Sequence, residues 1–167
     1  TKFHGTYLQD NRDERKALLK ERKEKAFSFM IRVRVPGGVC TPAQWLGIDE
    51  LSDKFADGTL KLTTRQAFQL HGILKRNLKQ TMKEINDTLL DTLAACGDVN
   101  RNVMSPSNPF ESSLHREALS LAQDIHDHLT PQTTAYAEIW LDEEKISVGE
   151  RVVEPIYGKT YLPRKFK

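Results

Sequence analysis

The stretch FSFMIRVRV, residues 27–35, alternates strictly between two kinds of side chain. Successive side chains of a β-strand point to opposite faces, so the alternation predicts a strand with one apolar face for a core. The apolar face comprises Phe27, Phe29, Ile31, Val33 and Val35, and the second face comprises Ser28, Met30, Arg32 and Arg34. The PGG at 36–38 predicts a turn directly after this strand.

A helix and a second strand follow. Thr41, Pro42 and Gln44 have the spacing of an N-cap, a first-turn proline and a capping-box partner, which predicts a helix over residues 42–56. KLTTRQAFQLHG, residues 61–72, predicts a strand, bent near Arg65 and ending at Gly72.

Two more helices and a hairpin are predicted downstream. Asn77 and Gln80 repeat the capping pattern, which predicts a helix from there to about Ala95, with Gly97 placed to stop it. Asn108, Pro109 and Glu111 predict the start of a third helix. Its predicted buried side comprises Phe110, Leu114, Ala118, Leu121, Ile125 and Leu129. AYAEIWL and KISVG, on either side of DEE, predict a hairpin.

The order of these elements indicates the fold class. Strands and helices are mixed without a βαβ nucleotide-binding fingerprint, so the expected class is α+β. The opening residues have no clear periodicity, and residues 13–25 are dense in Lys, Glu and Arg. We therefore expect an irregular start followed by a solvated helix or an arm.

Composition excludes several classes of protein. The 167 residues are 38% hydrophobic and 29% charged, which is typical of a single globular domain. A net charge of +2 is too small for a general nucleic-acid binder. No apolar run approaches the roughly 20 residues of a membrane span, and no signal peptide is evident. We therefore expect a cytoplasmic protein with neither a nucleic-acid nor a membrane partner. Cys40 and Cys96 are far apart, which argues against a metal site formed by this chain alone.

Basic and amide side chains recur on four separate segments. They are Arg32 and Arg34; Lys61, Arg65, Gln69 and His71; Arg101 between Asn100 and Asn102; and Lys165 with Lys167. Solvated strand faces would account for this pattern. A basic cleft for an anionic ligand is the alternative, since arginine binds oxyanions through two N–H groups and lysine acts as a mobile point charge. Periodicity alone leaves both interpretations open.

Six short motifs carry a family resemblance. In order they are KFHGTYLQDNRD, RVRVPGGV, LTTRQAFQLHGILK, NRNVM with SNP, AYAEIWLDEEK and TYLPRKFK. Together they resemble the hemoprotein subunits of assimilatory sulfite reductases, within the siroheme nitrite and sulfite reductase family. FQLHG and YLPRKFK bring the chain closer to the sulfite enzymes than to the nitrite enzymes.

The resemblance implies a fold and an activity. The implied activity is the six-electron reduction of sulfite to sulfide at siroheme coupled to a [4Fe–4S] cluster, in sulfate assimilation and cysteine biosynthesis. The implied sulfite-binding residues are Arg34, Arg101, Lys165 and Lys167. The implied siroheme-binding residues are Lys61, Arg65, Gln69, His71, Asn100 and Asn102. For His71, axial ligation of the iron and a purely structural role are the alternatives.

The resemblance also implies a domain organisation. Residues 1–26 would form an N-terminal arm, residues 27–83 a ferredoxin-like half-domain, and residues 84–167 the beginning of a siroheme-binding α+β domain. The family's cluster cysteines are expected outside this chain, so the chain alone is expected to be inactive. Uncovered strand edges and apolar surface lead us to expect self-association. Lys61 departs from the arginine that is common in relatives, which puts its carboxylate contact in doubt.

The implied electron donor is an NADPH-dependent flavoprotein subunit. Two alternatives stay open on the sequence alone. One is a ferredoxin-dependent sulfite or nitrite reductase, which differs in electron donor and in substrate preference. The other is a non-catalytic module that binds anions or nucleic acid through the same basic faces.

Overall fold

A four-stranded antiparallel sheet organises the chain. The computed structural model describes residues 2–93, 100–106, 108–130, 138–141 and 144–147. The strands are β1 (Thr6–Asp10), β2 (Phe27–Val33), β3 (Leu60–Leu62) and β4 (Phe68–Ile73), in the order β1-β2-β4-β3. The strand predicted around residues 27–35 is thus confirmed as the central β2, although it ends at Val33.

Four helices accompany the sheet: α1 (Arg12–Lys20), α2 (Pro42–Phe55), α3 (Leu78–Asp87) and α4 (Ser113–Leu129). The predicted capping box of α2 is present, with Gln44 N donating to Thr41 Oγ1 over 3.1 Å and Thr41 N donating to Gln44 Oε1 over 2.9 Å. The predicted hairpin is also confirmed, as β5 (Glu138–Leu141) paired with β6 (Glu144–Ser147). Helices and strands in this arrangement agree with the α+β class.

The core lies between one face of the sheet and helices α2 and α3. Ile31 and Val33 of β2 and Leu70 of β4 are fully buried there. Ile48 of α2 and Ile85 of α3 cover them and are also fully buried. Ile31, Val33 and Val35 of the predicted apolar face therefore lie in the core, as the alternation predicts, whereas Phe27 of that face is exposed.

The start of the chain differs from its prediction. Residues 6–10 form β1, which pairs with β2 from Thr6 opposite Ile31 to Asp10 opposite Phe27. The opening is thus part of the sheet and is not irregular. The solvated helix expected in the charged segment is present as α1, which buries none of its residues.

The single bent strand predicted over residues 61–72 is in fact a hairpin of β3 and β4. The Thr63 hydroxyl accepts hydrogen bonds from Arg65 N and Ala67 N, at 3.3 and 3.2 Å. Gln66 adopts a left-handed conformation with φ of 54°. A side-chain oxygen that binds nearby main-chain N–H groups favours a turn, so the chain reverses here instead of bending.

Helix α3 is shorter than predicted and ends at Asp87 instead of near Ala95. Leu89 has φ of 63°, which turns the chain so that Leu90 is buried in the core. Asn77 makes no side-chain capping hydrogen bond, and Gln80 instead donates to Glu84 over 2.8 Å. The predicted helix stop at Gly97 lies outside the described residues.

Helix α4 begins later than predicted and uses a different face. Its N-cap is Ser112, and it buries Ala122 and His126. Most of the predicted buried side is instead exposed, namely Phe110, Leu114, Leu121, Ile125 and Leu129. The reason is a close approach by Leu119: a Cβ on Gly37, whose φ is 65°, would lie 2.3 Å from Leu119 Cδ1. This contact with the 36–38 turn sets which face of α4 points inward.

Among the described residues, none of the helices has both the length and the apolar character needed to span a membrane.

Matched leucine truncations test the corrected core. Leu70→Ala should lower the free energy of unfolding by about 2–5 kcal/mol, because it opens a cavity at a fully buried position. Leu121→Ala on the exposed face of α4 should change it by less than about 0.5 kcal/mol. Urea unfolding followed by circular dichroism measures both values. Equal losses in the two variants would contradict the α4 orientation described above.

Candidate anion-binding site

A row of polar side chains crosses the sheet face opposite the core. Arg32 of β2 lies opposite Gln69 of β4, and Lys61 of β3 lies opposite Gln69 from the other side. His71 follows two residues after Gln69 and therefore shares its face. The structure thus brings together three of the predicted binding residues, Lys61, Gln69 and His71, and adds Arg32 to them.

Hydrogen bonds order this row. With the Gln69 amide oriented to satisfy both neighbours, its oxygen accepts from Arg32 Nη2 and Nε at 3.0 and 3.2 Å. Its nitrogen then donates to His71 Nε2 over 3.1 Å. The Arg32 guanidinium also lies over the Tyr7 ring, 5.7 Å from its centroid, in a cation–π contact. Gln69 therefore acts as the link between a cation and an imidazole.

The charge state of His71 follows from its surroundings. Burial lowers the pKa of His71, and the nearby Lys61 and Arg32 cations lower it further, while Asp57 opposes them. Lys61 is held by Asp57, since its Nζ lies 3.1 Å from Asp57 Oδ2 and donates to Thr59 Oγ1 over 2.8 Å. At neutral pH this face therefore carries a neutral imidazole between cations.

A polar cavity of about 670 Å³ opens beside His71. Asp57 and Gly72 line it, together with Gln9 and Ser28 from β1 and β2 and residues of the β1–α1 connection. Because the cavity is bordered by both carboxylates and cations, its lining alone does not select for an anion.

Asn102 joins a distant segment to the end of the sheet. Its Oδ1 accepts from Val35 N over 3.0 Å, and its Nδ2 donates to the carbonyl oxygens of Val35, Arg65 and Gln66 at 2.9, 2.8 and 3.2 Å. The side chain is buried. The oxygen and the nitrogen of the Asn102 amide are therefore both bound to main-chain groups, at Val35 just after β2 and in the β3–β4 turn.

Neighbouring hydrogen bonds strengthen this connection, which we call the joint, between residues 102–105, residues 35–37 and the β3–β4 turn. Gly37 N donates to Val103 O over 2.8 Å, and Gln66 Nε2 donates to Ser105 O over 2.8 Å. Ser105 N in turn donates to Gln66 Oε1 over 3.2 Å. Residues 102–105 are thus tied to both the 35–37 segment and the β3–β4 turn.

The main chains of three predicted arginines meet at this joint. Arg34 precedes Val35, Arg101 precedes Asn102, and the Arg65 carbonyl accepts from Asn102 directly. Arg65 is exposed and Arg101 half-buried, and neither side chain makes a hydrogen bond or ion pair to another described residue. Tertiary structure therefore places three guanidinium-bearing positions from three segments around one asparagine.

Arg34 is the buried member of this group, with only 1% of its surface exposed. Its Nε donates to Asp91 Oδ1 over 2.7 Å, and its Nη1 donates to Thr130 Oγ1 over 3.4 Å. Asp91 and Thr130 were not predicted as site residues, because nothing in their local sequence distinguishes them from ordinary helix and loop positions.

His126 lies in the same polar cluster, which the sequence also gave no reason to expect. Burial lowers the pKa of His126, and the Arg34 cation lowers it further, while Asp91 and Asp127 raise it. Its Nδ1 is buried without a hydrogen-bond partner among the described residues. His126 is therefore held neutral beside a cation.

The remaining predicted residues are placed as follows. The Nδ2 atom of Asn100 is buried and has no hydrogen-bond partner within the described segments. Lys165 and Lys167 lie outside the described residues. Their expected role therefore stays a prediction.

The donor set fits a carboxylate-rich cofactor. Among the described residues, the guanidinium groups of Arg65 and Arg101 and the buried amide nitrogen of Asn100 have no hydrogen-bond partner. Such groups bind carboxylates of the kind siroheme carries. Over the described ranges no three His, Cys, Asp or Glu side chains are grouped to hold a metal ion. Cys40 is a free thiol, and its partial burial raises its pKa.

Replacing Asn102 tests the joint. Asn102→Ala leaves the Val35 amide and several carbonyls buried without partners, so the free energy of unfolding should fall by on the order of 2–3 kcal/mol. Asn86→Ala, at an exposed position of α3, is the matched control and should change it by less than about 0.5 kcal/mol. Urea unfolding measures the free energy of unfolding of both variants. An unchanged value for Asn102→Ala would contradict the stabilising role of Asn102.

Titration tests the buried histidine. Because the folded-state pKa of His126 is below that of the unfolded chain, the unfolded chain binds the proton first as the pH falls. The free energy of unfolding should therefore decrease as the pH falls below about 6.5, by at most about 1.4 kcal/mol per pH unit for this group. His126→Gln should flatten this decrease, whereas His128→Gln on the exposed side of α4 should not. Chemical denaturation between pH 8 and pH 5 measures how the free energy of unfolding of each variant depends on pH. The same dependence in both variants would contradict the assignment to His126.

Comparison with known proteins finds similar sequences and one similar fold. Residues 20–88 match the model of the nitrite/sulfite reductase ferredoxin-like half domain. The chain is 62% identical over 167 residues to the sulfite reductase [NADPH] hemoprotein beta-component of Staphylococcus saprophyticus. It is 64% identical over 167 residues to the protein of the same name from Anoxybacillus flavithermus.

These alignments cover 99% of the chain but only 29% of each relative. Among solved structures, the NirA protein of Mycobacterium tuberculosis is similar, with 29% identity and a TM-score of 0.54 over 66% of the chain and 21% of NirA. The sheet with its covering helices and the sequence identity along nearly the whole chain lead to one conclusion: the chain is similar to sulfite reductase hemoproteins over its length, and its residues 20–88 match the ferredoxin-like half-domain of nitrite and sulfite reductases.

Proposed function

We propose that this chain is the N-terminal part of a sulfite reductase hemoprotein that reduces sulfite to sulfide in assimilatory sulfate reduction and cysteine biosynthesis. The observation that carries the proposal is the convergence of Arg34, Arg65 and Arg101 around Asn102. Arginines whose main chains meet at this joint would supply the positive charge that a doubly charged oxyanion and a polycarboxylate cofactor both need. The names of the relatives favour the NADPH-linked enzyme over a ferredoxin-dependent one.

Arg34, Arg101, Lys165 and Lys167 would bind sulfite. Guanidinium groups bind oxyanions through paired N–H donors and lower the cost of bringing negative charge to an electron-rich centre. The lysines would add mobile ammonium groups that hold and donate protons as oxygen leaves as water. The assignment of Lys165 and Lys167 depends on the PRKFK motif alone.

Lys61, Arg65, Gln69, His71, Asn100 and Asn102 would form the siroheme side of the site. Arg65 has the strongest support, because its guanidinium is exposed and no other described residue binds it. For Lys61 and Asn102 the support is weaker, since Asp57 holds the lysine and main-chain groups occupy the whole Asn102 amide. His71 Nε2 is directed at Gln69, which favours a hydrogen-bonding role over axial ligation of iron.

When bound, siroheme and a [4Fe–4S] cluster would supply the six electrons. The cluster ligands would come from a part of the polypeptide outside this chain, which spans 29% of its relatives' length. Electrons would reach the site from a flavoprotein subunit that oxidises NADPH. With such a partner, the protein would act in the cytoplasm. The chain by itself would be inactive.

The full-length subunit tests the substrate assignment. Purified from cells that make siroheme, it should show siroheme absorbance and reduce sulfite with methyl viologen as electron donor. Arg34→Ser and Lys165→Met should each lower sulfite turnover at least tenfold while the bound pigment is largely retained, because each removes a charge expected to bind the substrate and not the cofactor. A colourless wild-type protein would refute the proposed function, and loss of pigment in parallel with activity would reassign the two residues to the cofactor.

Substitution of Arg65 tests the assignment of the siroheme-binding residues. Arg65→Ala should lower the ratio of siroheme to protein, because it removes the most accessible guanidinium of the joint. Arg76→Ala, also exposed but outside the joint, is the matched control and should retain the pigment. Pigment content per protein is read from the absorption spectrum, and equal content in both variants would remove Arg65 from the cofactor site.

A further inference from the structure

We propose that Asp91 is a positioning residue that fixes the Arg34 guanidinium in the orientation that receives the substrate anion. The inference deepens the proposed function and depends on the role assigned there to Arg34. Neither the family resemblance nor the motifs around Arg34 assign Asp91 any part in the site.

The first observation is a main-chain bridge. Arg34 lies just beyond the end of β2, and its N–H donates to the carbonyl oxygen of Asp91 over 2.8 Å. The two residues form an isolated antiparallel bridge. Their side chains therefore start from a fixed backbone separation, and the chain reversal at Leu89 is what brings Asp91 to this place.

The second observation is the contact between the charges. Asp91 Oδ1 accepts from Arg34 Nε over 2.7 Å, and Nη2 lies 2.7 Å from the same oxygen. Leu93 N donates to this oxygen too, over 2.8 Å, which fixes the carboxylate in turn. One edge of the guanidinium is thus held against an oxygen that is itself held by the main chain.

The third observation concerns the opposite edge. The contact of Nη2 with Asp91 does not have hydrogen-bond geometry, and Nη2 has no other acceptor among the described residues. Nη1 makes only the 3.4 Å bond to Thr130, whose hydroxyl donates to His126 O at the end of α4. A guanidinium carries five N–H donors, so the edge formed by Nη1 and Nη2 keeps donors available for an oxyanion.

Burial makes this arrangement necessary. Arg34 is 1% exposed, whereas the Asp91 side chain is 33% exposed. A buried guanidinium without a counter-charge is strongly disfavoured, and a long side chain without a fixed partner samples several rotamers. Asp91 therefore both offsets the cost of burying the cation and determines which edge of it faces away from the carboxylate.

The test is a double-mutant cycle in the full-length subunit with its cofactors. Asp91→Asn keeps the shape of the side chain but removes its charge. We expect it to raise KM for sulfite about tenfold, as the loss of a charge-assisted contact implies, with the siroheme spectrum unchanged. In an Arg34→Ala background, Asp91→Asn should have no further effect on KM, because its action passes through Arg34. Asp91→Glu should restore part of the affinity.

The controls separate position from stability and from the proposed function. Asp87→Asn, at the exposed end of α3, should leave KM unchanged. The inference is overturned if Asp91→Asn lowers stability to urea but leaves KM unchanged, if it tightens sulfite binding, or if its effect on KM persists in the Arg34→Ala background. A wild-type subunit without sulfite turnover would instead refute the proposed function, and this inference with it.

Discussion

The pairing of β2 with a strand on each side is the constraint on which the rest of the structure depends. Its residues Ile31 and Val33 are fully buried and form the floor on which α2 and α3 pack. The same pairing places Arg32 beside Gln69 on the opposite face. Since a one-residue change of register would exchange the two faces, burial of the apolar residues also determines where the cations lie. The core and the polar row are therefore two consequences of one register.

The extension of β2 beyond Val33 links this sheet to the segments that follow. Arg34 bridges Asp91, and Val35 is held on both main-chain groups by Asn102. A buried amide that satisfies four main-chain partners stabilises the joint, and it also specifies where the neighbouring arginines emerge. Structural hydrogen bonding and charge placement are therefore carried out by adjacent residues, Asn102 for the first and Arg101 for the second.

The buried pair of Arg34 and Asp91 illustrates why such a site needs a scaffold. An exposed arginine would be mobile and its interaction with an anion would be screened by water. Burial strengthens the interaction but requires a counter-charge, and that counter-charge must not occupy every donor. The carboxylate of Asp91 meets this condition, because it approaches one edge of the guanidinium and leaves the other to Thr130.

Local sequence determined much of this molecule. Strict alternation in residues 27–35 predicted the central strand, the Thr41–Gln44 capping box predicted α2, and the motifs indicated the family. These features depend on nearest neighbours or on short strings of residues, which is why they can be read from the chain directly. The basic and amide residues could also be recognised by type, but periodicity alone did not distinguish a site from a solvated face.

Other features were decided only by tertiary structure. The apolar spacing of α4 predicted one buried face, yet the close approach of Leu119 to Gly37 turned another face inward. Helix propensity continued α3 past Asp87, but burial of Leu90 and the bridge to Arg34 ended it there. Asp91, Thr130 and His126 lie 57, 96 and 92 residues from Arg34 in sequence, so no local pattern relates them to it. The sequence by itself determined which residues could bind an anion; the packing of distant segments decided which of them are held together, because burial and hydrogen bonding between those segments exist only in the folded chain.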